Sequence, residues 1–229
     1  MKINNTPGSL QVEEMDKGFD VSRRRFFQLA GGIAGAGILL AACNKRTGPS
    51  TTYVGSGDTG LLNYFYILQQ LEADFYTQAV ATPYYGMDAS EEQLLTDVRD
   101  HEIAHAGLLQ NLLGANAITK IVTNFSAVNF ADRTSVLSHA YAIEDLVISG
   151  YNGAAQLFVN TSYVLQLAKM VSVEARHSAY FRDILNYNSF ADSTVISSNG
   201  LDQANTPSVV LASAEAYIQT TFDASKLPN

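Results

Sequence analysis

Residues 98–109 read Val98-Arg99-Asp100-His101-Glu102-Ile103-Ala104-His105-Ala106-Gly107-Leu108-Leu109, and residues 170–181 read Met170-Val171-Ser172-Val173-Glu174-Ala175-Arg176-His177-Ser178-Ala179-Tyr180-Phe181. Each stretch holds a Glu and a His three positions apart, Glu102 with His105 and Glu174 with His177. On a helix, that spacing puts both side chains on one face. The pairs also interrupt apolar stripes. One stripe runs Val98, Glu102, His105, Leu109, Leu112, and the other Leu167, Met170, Glu174, His177, Phe181, Ile184, both in steps of three and four. Both segments are therefore expected to be helices that turn a carboxylate and an imidazole into a core. An uncompensated charge there is costly. The chain has only nine Glu and four His, so chance predicts well under one such pair.

Two further stripes carry a single Glu each. Phe65, Leu68, Glu72, Phe75 form one, and Leu137, Ala140, Glu144, Val147, Tyr151 the other. Glu72 precedes Glu102 by 30 residues, and Glu144 precedes Glu174 by the same 30. The chain thus reads as a repeated hairpin, a Glu helix followed by a Glu-x-x-His helix. Two such hairpins packed together bring Glu72, Glu102, His105, Glu144, Glu174 and His177 to one level. That set matches the ligands of a two-iron or two-manganese centre in a helical bundle. Without metal, mutual repulsion and desolvation should raise several of the carboxyl pKa values. The competing reading is a set of core polar residues satisfied by hydrogen bonds between helices.

His101 and His139 lack the Glu-x-x-His spacing and are expected at the surface or supporting a ligand. Tyr76, Tyr141, Tyr151 and Tyr180 lie a turn or two from the candidate ligands. They fit aromatic core filling, hydrogen-bond donation to a ligand or electron relay. Asp145 and Arg176 flank the candidate ligands and fit either a pair across helices or solvated charges. Gly150 and Gly153, inside the third helix, each cost roughly 1 kcal/mol relative to Ala. They point to close packing or to an early helix end.

The fold class that follows is all-α, a four-helix bundle with a long crossover and an extra C-terminal helix. The helices are expected over about 60–81, 90–114, 133–158 and 161–187, with Asp58 capping the first and a Ser90–Gln93 capping box opening the second. Thr206-Pro207 offers an N-cap and first-turn proline for a fifth helix over roughly 207–222. The segments 115–131 and 188–206 are loop-like, and the first must cross between the hairpins. No alternating strand pattern is present. Gly55-Ser56-Gly57-Asp58-Thr59-Gly60 matches G-x-G-x-x-G, but it lacks the βαβ setting that gives the pattern its nucleotide meaning. Linker glycines before a helix explain it.

Residues 1–42 read as an export signal. Arg23 and Arg24 lie in Ser22-Arg23-Arg24-Arg25-Phe26-Phe27, which fits the twin-arginine pattern, and an apolar stretch of 14 residues follows from Leu29 to Ala42. That length falls short of the roughly 20 residues a membrane span needs. Leu40-Ala41-Ala42-Cys43 resembles a lipobox, so Cys43 is the expected lipid attachment point. Residues 43–57 then form the tether, 58–189 the bundle, and 190–229 a loop and terminal helix. Cys43 is the only Cys. An intramolecular disulfide and every Cys-rich metal site are thereby excluded. Removing residues 1–42 leaves 9 Lys and Arg against 18 Asp and Glu, a net charge of −9. Nucleic acid is an unsuitable partner for such a surface.

Leu61-Leu62-Asn63-Tyr64, Leu71-Glu72-Ala73-Asp74-Phe75-Tyr76, Tyr151-Asn152-Gly153-Ala154-Ala155 and Val173-Glu174-Ala175-Arg176-His177 resemble the ferritin-like family that includes desiccation-related proteins. The resemblance spans residues 58–189. It implies a ferritin-like four-helix fold, and maps the six ligand positions onto Glu72, Glu102, His105, Glu144, Glu174 and His177. An export signal, a tether and an extra helix distinguish this chain from iron-storage ferritins and speak against a closed cage. Homo-oligomerisation stays open. The expected cofactor is two iron ions, or two manganese ions. The expected activity is oxidation of Fe(II) or consumption of O2 or peroxide at the bacterial cell envelope, with metal ions and small oxidants as partners. Manganese catalase-like peroxide disproportionation and a non-catalytic envelope stress scaffold are the alternatives.

Overall fold

The computed structural model describes residues 51–229. Arg23, Arg24 and Cys43, and with them the export and lipidation readings, lie outside the described residues. Helices α1 (Gly57–Ala81), α2 (Ala89–Leu113), α3 (Arg133–Ala154) and α4 (Thr161–Leu185) form the four-helix bundle. α1 packs along α2, α3 along α4, and the two hairpins join through α1 and α3. A fifth helix, α5 (Pro207–Ala214), lies against α3. Among the described residues no helix is long and apolar enough to cross a membrane.

The caps are set by short polar side chains. Asp88 caps α2 by accepting from the backbone N–H groups of Ser90 and Glu91, while Asp132 and Asn160 do the same for α3 and α4. The expected Ser90–Gln93 box is therefore replaced by a cap two residues earlier. Asp58 is not the cap of α1, which begins at Gly57. Its carboxylate instead accepts from the N–H groups of Val159 and Asn160, tying the start of α1 to the start of α4. α3 stops at Ala154 and tightens into a 3-10 turn over Ala155–Leu157.

The crossover (residues 117–132) runs the length of α1. Asn63 accepts from the Ile118 N–H and donates to the carbonyls of Val54 and Asn116. Two turns further on Gln70 accepts from the Ile121 N–H, and one turn beyond that Asp74 accepts from the Thr123 hydroxyl and pairs with Lys120. Phe125 and Phe130 then close over Phe75. α1 is consequently buried almost all round, from Gly60 to Tyr76 with the single exception of Asp74. By contrast α2 and α4 bury one face each.

The C-terminal segment departs from expectation. α5 ends at Ala214, because the chain beyond it leaves the helix to bond the crossover: Asn124 N–H donates to the Tyr217 carbonyl and Gln219 N–H to the Val122 carbonyl. Two residues, Phe222–Asp223 (β2), then pair in parallel with Thr52–Tyr53 (β1). This small sheet was not anticipated from the sequence.

Candidate metal centre

Each of the four bundle helices contributes one fully buried carboxylate at mid-height. Glu72 comes from α1, Glu102 from α2, Glu144 from α3 and Glu174 from α4. All four occupy the stripe positions expected, since their stripe neighbours Leu68, Val98, Val147 and Met170 are buried beside them. On α2 the stripe drifts near its end, where Leu113 is buried in place of Leu112. His177 is buried and His105 keeps only 14% of its side chain exposed.

The imidazoles sort the carboxylates. His177 Nδ1 lies 3.0 Å from Glu102 Oε1, 3.3 Å from Glu174 Oε2 and 3.5 Å from Glu144 Oε1. His105 Nδ1 lies 3.0 Å from Glu174 Oε1 and 3.3 Å from Glu102 Oε2. Glu102 and Glu174 thus turn one oxygen to each imidazole, and Glu144 serves the His177 side alone. Ligand atoms of Glu102, Glu144, Glu174 and His177 all fall within 4.8 Å of one another. Glu72 and His105 stand outside that quartet. His105 joins it through Glu102 and Glu174, and Glu72 through Gln69, whose Nε2 donates to Glu72 Oε2 at 2.5 Å and to Glu174 Oε1 at 2.9 Å.

Metal fits this cluster better than hydrogen bonding alone. Glu72 Oε1, Glu102 Oε1, Glu144 Oε2, Glu174 Oε2 and His177 Nδ1 are all buried without a directed hydrogen bond. His177 Nδ1 has three carboxylate oxygens around it, yet none lies along a hydrogen-bond direction. Buried polar atoms are ordinarily paired, and with Glu102, Glu144, Glu174 and His177 ligand atoms within 4.8 Å of one another these unpartnered atoms call for a cation. The donors are oxygen and imidazole nitrogen, which suits iron or manganese.

A profile of the ferritin-like domain matches residues 57–187. The chain belongs to the ferritin-like domain family. No curated protein matches it significantly. The family match covers all four bundle helices, and with them every residue of the carboxylate–histidine cluster.

Supporting contacts surround the family's bundle core here. Tyr76 donates its hydroxyl to Glu144 Oε1 at 2.6 Å. Burial and the charge of Glu144 hold that phenol well above its ordinary pKa, so it remains a donor. His101, though exposed, places Nδ1 3.0 Å from His177 Nε2 with the two rings stacked. It thereby fixes the His177 ring in the orientation that turns Nδ1 to the carboxylates. Asp145 pairs with Arg182, not with the exposed Arg176, and also accepts from Ser178. Because Asp145 follows Glu144 and Ser178 follows His177, this contact locks the register between α3 and α4. Tyr141 lies under the Arg182 guanidinium, Tyr151 stacks on Phe65, and Tyr180 faces solvent. His139 bonds the Ser135 carbonyl within its own helix and is structural.

Electrostatics of the metal-free cluster follow from burial and from the two imidazoles. Burial, reinforced by the charges of Glu174, Glu102 and Glu144, drives the Glu72 carboxyl well above its usual range. Burial lifts Glu144 to about 8 against the opposing pull of His177. Glu174 moves the other way: burial would raise it, but His105 and His177 outweigh burial and bring it down to about 2. Burial works against protonation of His105 and His177, and the carboxylates around them overcome it, giving about 10 and about 12. Burial and the neighbouring charges therefore favour protons on Glu72, Glu144, His105 and His177 in the metal-free cluster. Metal must displace them, so loading two divalent ions at pH 7 is expected to release several protons per chain. Calorimetric titrations with Mn(II) in buffers of different ionisation enthalpy measure that number directly. Apparent affinity should accordingly strengthen as pH rises from 6 to 8, since fewer protons then compete.

Proposed function

We propose that this chain is an exported, lipid-anchored two-metal oxidoreductase that oxidises Fe(II) at the expense of O2 or peroxide. The observation that carries this reading is the convergence of buried, undirected carboxylate and imidazole lone pairs in the middle of the bundle. Glu102, Glu144, Glu174 and His177 would hold one ion, and Glu72 and His105, with the far oxygens of Glu102 and Glu174, the other. Iron or manganese held there supplies the redox chemistry. The export signal around Arg23 and Arg24 and the lipobox Cys43 support placement in the bacterial envelope.

The protein's own part is to bind, orient and exclude. Glu102 and Glu174, each with one oxygen toward each imidazole, would serve both positions. Tyr76 steadies Glu144, and His101 steadies the His177 ring. Phe181, Met170, Tyr151 and Leu68, buried one or two turns from the ligands on their helices, keep bulk water out of the core. The side nearest solvent lies along α2, where His101 is exposed and His105 is only partly covered. Fe(II) and a small oxidant have their shortest approach there.

The deciding experiment is metal content by mass spectrometry, followed by Fe(II) oxidation monitored under O2 and under H2O2. About two Fe or Mn per chain is expected, together with Fe(II) oxidation faster than in buffer. Two ions bound with O2 evolved from H2O2 would move the assignment to peroxide disproportionation. A chain that stays metal-free after anaerobic loading with Fe(II) or Mn(II) would sink the redox reading.

A further inference from the structure

The two halves of the cluster are not equivalent, and one residue makes the difference. The hairpin repeat, offset by 72 residues, pairs Glu72 with Glu144, Glu102 with Glu174 and His105 with His177. Gln69, three residues before Glu72, has Tyr141 as its counterpart three residues before Glu144. Tyr141 sits under Arg182 and takes no part in the cluster. Gln69 is fully buried inside it.

Gln69 touches one side only. Its Nε2 reaches Glu72 Oε2 and Glu174 Oε1, and the latter is the same oxygen that faces His105. No such amide stands on the His177 side, where four ligand atoms already converge. Gln69 is also the only contact by which Glu72 is joined to the second hairpin among the hydrogen bonds of the described residues. Its remaining atom, Oε1, is buried with no partner. A fully buried amide left half-satisfied is costly, and apolar packing alone does not explain it.

We infer that Gln69 is the positioning residue of the His105-side metal, and that the two ions bind in order, the His177 side first and the His105 side second. The inference rests on the two-metal reading above. The His177-side quartet needs no rearrangement to receive an ion. The His105 side depends on Gln69 to hold Glu72 beside Glu174 across the hairpins, next to the Glu174 oxygen that faces His105. Removing an outer partner of this kind ordinarily weakens metal binding ten- to a hundredfold. Here the loss should fall on one ion of the two.

The test is a titration of the full-length chain with Mn(II), followed by calorimetry and by electron paramagnetic resonance. In the unaltered chain the first equivalent should give an isolated Mn(II) signal, which the second replaces by a spin-coupled one. Gln69→Leu and Gln69→Met should keep the first equivalent and its isolated signal. Both should lose roughly ten- to a hundredfold in affinity for the second, so the coupled signal fades at matched Mn(II). Coupled signal appearing from the first additions to the unaltered chain would overturn the loading order without touching the two-metal reading. Equal weakening of both equivalents, or no change in either, would overturn the role of Gln69. Should neither variant fold, the order of signals in the unaltered chain still decides. A chain that binds no Mn(II) at all would overturn this inference together with the reading beneath it.

Discussion

Saturating Mn(II) is expected to raise the melting temperature of the chain by on the order of 10 °C, and Glu174→Ala to abolish that rise. Each ion that binds only the folded state at about 100 times its dissociation constant adds about 2.7 kcal/mol. Two such ions add about 5 kcal/mol, and in a domain of this size each kcal/mol is worth roughly 2–4 °C. Glu174 is the sharpest place to cut, because its two oxygens face the two imidazoles, 3.0 Å from His105 Nδ1 and 3.3 Å from His177 Nδ1. It is also the acceptor for Gln69. Its removal should therefore empty both positions. The same substitution should destabilise the metal-free chain by about 3–5 kcal/mol, since two buried imidazolium groups lose a shared counter-charge. Glu92→Ala, at an exposed site in the first turn of α2, should change neither quantity by more than about 0.5 kcal/mol. Thermal melts with and without Mn(II) measure all of this. A wild-type melting temperature indifferent to metal would rule out a bound pair.

The stripes that identified Glu102, Glu174 and His177 were legible because α2 and α4 bury a single face, so the period of a helix shows directly in the sequence. α1 shows its stripe less cleanly, although Phe65, Leu68, Glu72 and Phe75 still place Glu72 in the core. The crossover covers its back, and Leu61, Leu62, Tyr64, Phe65, Tyr66, Ile67 and Leu68 are buried in near succession. Periodicity in that run does not single out the polar residues beside Glu72. What could have been noticed is the reverse pattern: Asn63, Gln69 and Gln70 are polar inside a segment apolar on every side, and such residues must find partners. Asn63 and Gln70 find the backbone of the crossover, and Gln69 finds the cluster. His101 is at the surface and beside a ligand, as expected, but spacing alone does not say which ligand, because its stacked partner lies on another helix. The β1–β2 pairing was beyond reach, since two-residue strands 170 positions apart carry no local pattern. The end of α5 was misplaced for a related reason, as backbone bonds to the crossover outweigh the helical propensity of residues 215–222.

Gly153→Ala is expected to destabilise the chain by about 3 kcal/mol, while Gly107→Ala, the same change in another helix, is expected to stabilise it by up to about 1 kcal/mol. In an unobstructed helix, Ala is favoured over Gly because it leaves less conformational freedom to lose. Gly107 in α2 meets that condition, since a Cβ placed there has nothing within 4 Å. At Gly153 in α3 a Cβ would overlap the backbone carbonyl of Asn205, with the Asn205 nitrogen 3.0 Å away. Backbone cannot turn aside as a flexible side chain can, so the segment 203–206 would have to lift off α3. That movement breaks Asn205 N–H to the Ser149 carbonyl at 2.9 Å, Asn205 Nδ2 to Ser149 Oγ at 3.1 Å, and Asn152 Nδ2 to the Gln203 carbonyl at 2.9 Å. Each such bond is worth about 1 kcal/mol, which together outweighs the gain in helix propensity. The glycine is therefore there for close approach of the C-terminal segment and not to end the helix. At roughly 2–4 °C per kcal/mol, the two variants should melt about 10 °C apart, in opposite directions from the parent. Equal melting temperatures for the two would mean that residues 203–206 do not press on α3 in solution.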